Sequence, residues 1–321
     1  MAQRQAPWPA TDTVQVESAG SGCPGCGQPS RAGLAVTMGA GAASLIRCAG
    51  CGLAYWAERW APERAREHYE AYYQPEAIVF DALTGRRYEA LLGRLASLTG
   101  VGKLLDVGCG AGHLVAVAEA RGWDVTALEI SASGLACVQA LKRAQGLRCR
   151  ILEEELTQAD LPAGALDVVT MIEVLEHVED PIALLRECVR VLRPGGCLYL
   201  TTPNYDSLSR RLLGSRWRVI ADEHRCLFSP RALHSLLERV GLRCVEMTTR
   251  NLDVPHLLQV WQGRAGQGPH PANGESASQQ LRHQVEAVAW LRSAKRAANA
   301  LLRVLGLGDT IEMFAIKESE L

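Results

Sequence analysis

Two sets of residues in this chain have the types and the spacing that do chemistry. Cys23-x-x-Cys26 and Cys48-x-x-Cys51 are thiol pairs separated by 21 residues. Each pair brings two soft sulfur ligands to one point, and the glycine inside or beside it lets backbone amides turn toward the sulfurs. Two such knuckles supply the four ligands that tetrahedral zinc prefers. A site closed by four protein ligands leaves no position for water, so its expected role is structural. A redox dithiol pair and a metal-free turn are the rival readings. The second set is Asp106-Val107-Gly108-Cys109-Gly110-Ala111-Gly112, an acid and three glycines closing an apolar run. Without Cβ atoms, Gly108, Gly110 and Gly112 let the backbone bend sharply and come close to a ligand. Glu129, 17 residues beyond Gly112, ends the next apolar run. An acid at that place can accept hydrogen bonds from both hydroxyls of a ribose. The plainer alternative is a glycine turn that only packs a helix on a strand.

The elements that must hold this second set follow from the pattern around it. Leu104, Leu105 and Val107 make the apolar run of a parallel strand buried on both faces. Leu114 to Arg121 are helix formers, and Gly122 fits the position after the helix end. Strands are expected at 103–107, 124–129, 148–152, 166–171 and 196–201, and helices at 112–121, 132–145 and 181–191. Ser131 caps the second of these helices. Such alternation gives a parallel sheet with helices on both faces, and a nucleoside-bearing ligand would lie over the glycine turn at the strand ends.

On these residues the chain resembles the class I methyltransferases that use S-adenosylmethionine. The resemblance rests on Asp106 to Gly112, on Glu129, on Glu173-Val174-Leu175-Glu176-His177-Val178-Glu179-Asp180-Pro181, and on Leu192-Arg193-Pro194-Gly195-Gly196. It covers roughly residues 100 to 250, with a return at the C-terminus. A nicotinamide dehydrogenase more typically has Gly-x-Gly-x-x-Gly, and here the third glycine comes one residue early. The resemblance implies an α/β fold, a Rossmann-like seven-stranded sheet with helices on both faces. It implies S-adenosylmethionine as cofactor, bound by Asp106, Gly108, Cys109, Gly110, Gly112, Glu129 and Ile130. The family has an acid after the third strand for the adenine amino group, with an apolar residue following. Glu155 and Leu156 match best, counted back from Asp160-Leu161-Pro162, while Glu153-Glu154-Glu155 leaves the register open and a solvated charge cluster remains the alternative. Ile172 lies near the adenosine or methionine part of the ligand in this pattern, and Glu173 points toward the donor methyl. Strand six is expected at Leu242 to Thr248, and strand seven, antiparallel, at Thr310 to Ile316. Residues 250–309 then form an insertion between them.

The acceptor side is less defined. His177 is a candidate general base because its ordinary pKa lies near neutrality, with a loop-fixing histidine as the alternative. His224 is the second candidate. The Asn/Asp-Pro-Pro-Tyr motif of amino-group methylation is missing after strand four, which argues against nucleobase and glutamine nitrogen. The expected reaction is O-methylation of a small molecule resembling a quinone precursor, a sugar or a secondary metabolite. The alternatives are an RNA methyltransferase that grips nucleic acid with its ribbon, and a non-catalytic protein that binds through the cofactor fold. The ribbon's basic residues are Arg31, Arg47 and Arg59, with no lysine, so phosphate binding by it is expected to be weak.

The 321 residues, 48% hydrophobic with net charge −1, suffice for one large α/β core and a small appended module. Charge shows no whole-chain footprint for nucleic acid. The expected organisation is a disordered tail at 1–18, a zinc ribbon at 19–60 with a hairpin of Leu34–Thr37 and Ser44–Arg47, a helical linker or lid at 61–98, and the methyltransferase domain at 99–321. Tyr69, Tyr72, Tyr73, Phe80 and Tyr88 mark the linker as either a lid or a packed helix. Asp206 to Asp222, with Arg210, Arg211, Arg216, Arg218 and Trp217, is either an acceptor lid gripping an anionic group or an amphipathic surface helix. Ser229 and Pro230 start the next helix. Gly263 to Ser278 reads as a loop, and Leu281 to Leu305 as an amphipathic helix that packs on the fold or forms a homodimer face. No signal-peptide core and no run of 18 apolar residues occur, so the expectation is a cytoplasmic protein with no membrane span and no disulfide framework.

Overall fold

Leu104 and Leu105 are adjacent in sequence, yet both are fully buried, which requires a strand covered on both faces. A computed structural model describes residues 13–14, 22–29, 33–38, 41–58, 82–261, 297 and 299–318. Its strands are β1 (Thr13–Val14), β2 (Gly33–Met38), β3 (Gly41–Arg47), β4 (Ala54–Trp56), β5 (Lys103–Val107), β6 (Asp124–Leu128), β7 (Arg150–Leu152), β8 (Leu166–Ile172), β9 (Leu192–Pro203), β10 (Cys226–Leu227), β11 (Leu242–Arg250) and β12 (Thr310–Lys317). Its helices are α1 (Ala82–Thr99), α2 (His113–Ala120), α3 (Ala132–Gln145), α4 (Pro181–Val191), α5 (Leu208–Leu213), α6 (Pro230–Arg239) and α7 (Val254–Trp261).

Seven strands form the main sheet, in the order β11-β12-β9-β8-β5-β6-β7. β5 pairs parallel with β6 and β8, as do β6 with β7 and β8 with β9. β12 enters antiparallel between β9 and β11, where the resemblance puts the seventh strand. Successive residues of each central strand face opposite sides. Leu105 and Val169 join one apolar cluster, with Leu185 and Leu198. Leu104 and Val168 join the other, with Leu92, Leu95 and Val115. Full burial of such a side chain contributes about 1.5–3 kcal/mol, so each face of the sheet is fixed by its covering helices. α3 and α4 occupy the expected ranges. The Ser131 hydroxyl accepts from the Gly134 amide and the Ser229 hydroxyl from the Ala232 amide, both at 3.1 Å, capping α3 and α6.

The second sheet runs β1-β2-β3-β4-β10. Its hairpin β2–β3 was expected, but its last strand was not. β10 comes from the far part of the chain and pairs antiparallel with β4, Cys226 opposite Tyr55 and Leu227 opposite Ala54. Cys23, Cys48, Cys51 and Leu53 belong to the same apolar cluster as Leu105 and Leu198. A Cβ on Gly25 would stand 3.0 Å from Leu236 of α6. The described part of the cysteine segment therefore shares a core with the main sheet.

The arginine-rich insertion is helical only at α5, followed by a 3-10 turn at Gly214–Arg216. Trp217, Leu213 and Ile220 are buried against Leu45, Ala54 and Trp56 of the small sheet. That packing departs from the amphipathic surface helix, one of the two readings of this stretch. Tyr88 sits on α1 against the core. Tyr69, Tyr72, Tyr73 and Phe80, the Gly263–Ser278 stretch, and Leu281, Val285, Val288 and Leu291 lie outside the described residues. No helix among the described residues is long and apolar enough to cross a membrane.

Candidate active site

β5, β6, β8 and β9 all end on one edge of the sheet, and the chemistry-bearing residues gather there. After β5 the chain turns through Gly108, Gly110 and Gly112, whose φ angles are 68°, 53° and 79°. Left-handed backbone of this kind favours glycine. At Gly108 a side chain is also excluded by space, since its Cβ would lie 2.6 Å from Val174. The amides of Gly108 and Cys109 both donate to the Leu128 carbonyl, at 2.8 and 3.0 Å, tying the turn to the end of β6.

Glu129 follows β6 and is buried, with 5% exposed. Its Oε2 accepts from the Gly110 amide at 2.8 Å. Its Oε1 accepts from the amides of Ile130 and Ser131 and from the Ser131 hydroxyl, each at 2.9 Å. The carboxylate is thus stitched between the glycine turn and the start of α3. Oε1 has its donors already, and Oε2 retains room for another. Asp106 accepts from the Thr170 hydroxyl at 2.7 Å. Burial lifts its carboxyl to about 7, and the Glu129 charge adds to the rise. Burial also pushes the Cys109 thiol far above its usual range, helped by the charges of Asp106 and Glu129, so this thiol is inert.

The other expected contacts differ in placement. Ile130 is 42% exposed at the mouth of the turn. Glu155 is exposed, while Leu156 is buried in the main apolar cluster. Ile172 ends β8, half-buried. Glu173 then takes φ 55°, a left-handed backbone that a non-glycine residue adopts at a cost of about 1–3 kcal/mol. Its amide donates to the Thr201 carbonyl at 3.0 Å, and its Oε1 accepts from the Thr201 hydroxyl at 2.9 Å. Glu176, which the sequence reading passed over, is fully buried and accepts from the Thr202 hydroxyl at 2.9 Å. Burial and the Glu173 charge hold its carboxyl well above the carboxylate range. The readable signal was two acids three apart, at the end of a strand whose neighbour ends in Thr201-Thr202.

His177 and His224, 47 positions apart, are brought together with ring centroids 4.8 Å apart and planes at 61°. His224 Nδ1 lies 2.7 Å from the Val219 carbonyl, and His177 Nδ1 lies 3.2 Å from the Glu223 carbonyl. A carbonyl only accepts, so each Nδ1 carries a proton, and in the neutral ring Nε2 is the nitrogen that can accept. One ligand atom each from Glu176, His177 and His224 lie within 4.8 Å of one another. The small sheet holds this segment in place. The Trp56 indole N–H donates to the Ala221 and His224 carbonyls at 3.3 and 3.0 Å. Buried Arg225 donates to Glu179 at 2.6 Å and to the Glu58 carbonyl.

The four knuckle cysteines form a second cluster, with all four sulfurs within 4.8 Å of one another. Cys23 and Cys51 sulfurs are 3.6 Å apart, and Cys26 and Cys48 sulfurs 3.4 Å. Tetrahedral ligation at the Zn–S distance sets sulfurs about 3.8 Å apart. Hydrogen bonding from Cys23 brings the Cys51 thiol down to about 5.

Residues 80–247, more than half of the chain, match the family model described as a methyltransferase domain. This chain belongs to that methyltransferase family. The methyltransferase is 37% identical over 134 residues to the ubiquinone biosynthesis O-methyltransferase of Idiomarina loihiensis, covering 41% of this chain and 53% of that protein. It is 31% identical over 172 residues to the protein of the same name from Xanthomonas campestris, covering 51% and 69%. It spans about half the length of the first of these relatives. A solved SAM-dependent methyltransferase from Archaeoglobus fulgidus aligns with 72% of this methyltransferase and 94% of its own chain, at 18% identity and a TM-score of 0.46.

Proposed function

We propose that this chain is an S-adenosylmethionine-dependent methyltransferase that methylates an oxygen of a small, quinone-like acceptor. The observation that carries the reading is the Glu129 carboxylate. It is locked between the glycine turn and α3 at the strand-end edge, with capacity left on Oε2. The names of the O-methyltransferase relatives support oxygen as the acceptor atom. In this reading Glu129 Oε2 takes a ribose hydroxyl, Gly108, Cys109, Gly110 and Gly112 give the backbone approach, and Asp106, Ile130, Ile172 and Glu173 line the rest of the cofactor. Glu155 keeps the adenine end, while Leu156 packs in the core beside it.

When bound, the cofactor supplies a methyl carbon made electrophilic by its sulfonium. The residues contribute alignment and proton handling. His224 Nε2 would take the proton of the acceptor hydroxyl, and the Val219 carbonyl would stabilise the resulting imidazolium through Nδ1–H. His177, edge-on to that ring, fixes its orientation. A second reading has its own observation: two imidazoles and the Glu176 carboxylate form a ligand set suited to a divalent cation. Activity lost to EDTA and restored by iron(II) or manganese would favour it.

Cys23, Cys26, Cys48 and Cys51 are proposed to hold structural zinc. Four sulfurs within 4.8 Å of one another support this, and the role follows from closure of the site to water. The proposed organisation is a ribbon at 19–60, a linker at 61–98 and a methyltransferase domain at 99–321.

Labelled-methyl transfer to a panel of catechols, sugars and thiols tests the function. Product on a catechol hydroxyl is expected. Cofactor binding by calorimetry without transfer to any hydroxyl would overturn the acceptor assignment, and absence of cofactor binding would overturn the whole reading.

A further inference from the structure

Arg210, on α5, is 7% exposed. Among the described residues its side chain makes one hydrogen bond, from Nη2 to the Tyr205 hydroxyl at 3.3 Å. Its guanidinium carbon lies 4.9 Å from the centre of the Tyr205 ring. Its buried Nε has no hydrogen-bond partner, and no acid among the described residues pairs with it. A buried charge without a counterion is costly, and the face of one ring offsets only part of that cost. A second guanidinium approaches the same ring from the small sheet. Arg47, on β3, sits 5.6 Å from the ring centre and pairs with Asp206 at 3.0 Å. Two cations and one carboxylate thus surround Tyr205, leaving positive charge in excess.

The position matters as much as the charge. Tyr205 and α5 come directly after β9, on the edge where β5, β6 and β8 also end. Arg47 reaches them across the contact between the two sheets. A planar guanidinium with unused donors is the usual partner of a carboxylate or phosphate, which it binds through two parallel N–H groups.

We propose that Arg210, with Arg47 and Tyr205, receives an anionic group, carboxylate or phosphate, carried by the acceptor. This rests on the acceptor reading above and sharpens it, because the substrate class becomes an acidic hydroxylated small molecule. Arg210 is a binding residue here and takes no part in proton transfer.

The full-length protein is titrated with inorganic phosphate and, separately, with benzoate, at ionic strength fixed with sodium chloride, reading the unfolding temperature. Wild type should show a saturable rise with at least one of the two, and the more effective anion identifies the group. Arg210→Gln should weaken that anion at least tenfold while calorimetric affinity for S-adenosylmethionine stays within twofold. If neither anion stabilises the wild type, or if Arg210→Gln responds as wild type does, the site is overturned and the arginine only packs on the ring. Should Arg210→Gln fail to fold, Arg47→Gln reads the same site, and an unchanged anion midpoint there overturns it equally. A protein that binds the anion through Arg210 but shows no cofactor binding keeps this site and sinks the enzyme reading instead.

Discussion

The two sides of the candidate site are built in opposite ways. The cofactor side is local: Asp106 to Gly112 and Glu129 to Ser131 lie on consecutive strand–turn–helix units, and every hydrogen bond of the Glu129 carboxylate stays between them. The acceptor side is assembled from distance. His177 follows β8, His224 precedes β10, and Trp56, which holds the His224 segment, comes from the cysteine-bearing sheet. A local site tolerates change elsewhere in the chain. An assembled one inherits the stability of every piece that composes it.

That contrast can be broken most sharply at the histidines. Replacing His224 with Ala should lower turnover by about a hundredfold or more, the contribution typical of a positioned base, with cofactor affinity unchanged. Equal losses in turnover and in cofactor binding would erase the distinction between the two sides. Glu129→Ala should weaken S-adenosylmethionine roughly tenfold, since a hydrogen bond to a charged group contributes about 1.5–3 kcal/mol. Calorimetry that returns the wild-type affinity would remove the ribose assignment. Cys48→Ser should abolish stoichiometric zinc by metal analysis and raise KM for the acceptor several-fold while leaving cofactor affinity intact. Zinc still near one per chain would argue against the four-sulfur site.

The smallest effect concerns pH. Asp106 has a folded-state carboxyl raised from 3.8 to about 7. Between those values the unfolded chain is ionised and the folded one is still protonated, so this group's stabilising contribution is present at low pH and is lost as pH climbs from about 4 to about 7. Asp106→Asn should therefore gain on wild type in unfolding temperature across that window. Parallel profiles would show that Asp106 ionises normally.

The same contrast explains what the sequence reveals. α3 and α4 run over the expected residues, because capping side chains and apolar spacing are encoded within each segment. The glycine turn is legible for the same reason. β10 is not legible, since two residues carry no periodicity and their partner strand lies about 170 positions earlier. For Trp217 the sequence leaves a lid and a surface helix open, because burial by the small sheet leaves no mark in its own neighbours. Glu176 stood inside a recognised motif, but its full burial depends on β9. Leu156 satisfied the motif count for adenine contact and lies in the apolar core instead.

The strand shared between Ala54–Trp56 and Cys226–Leu227 also limits how this protein can be cut or recombined. A version shortened to begin after Glu58 would leave the edge at Cys226–Leu227 bare, a template for association with other chains. It would also free the loop bearing His224. A chimera grafting this catalytic body onto a foreign cysteine module would need to transplant residues 221–228 together with the new partner strand.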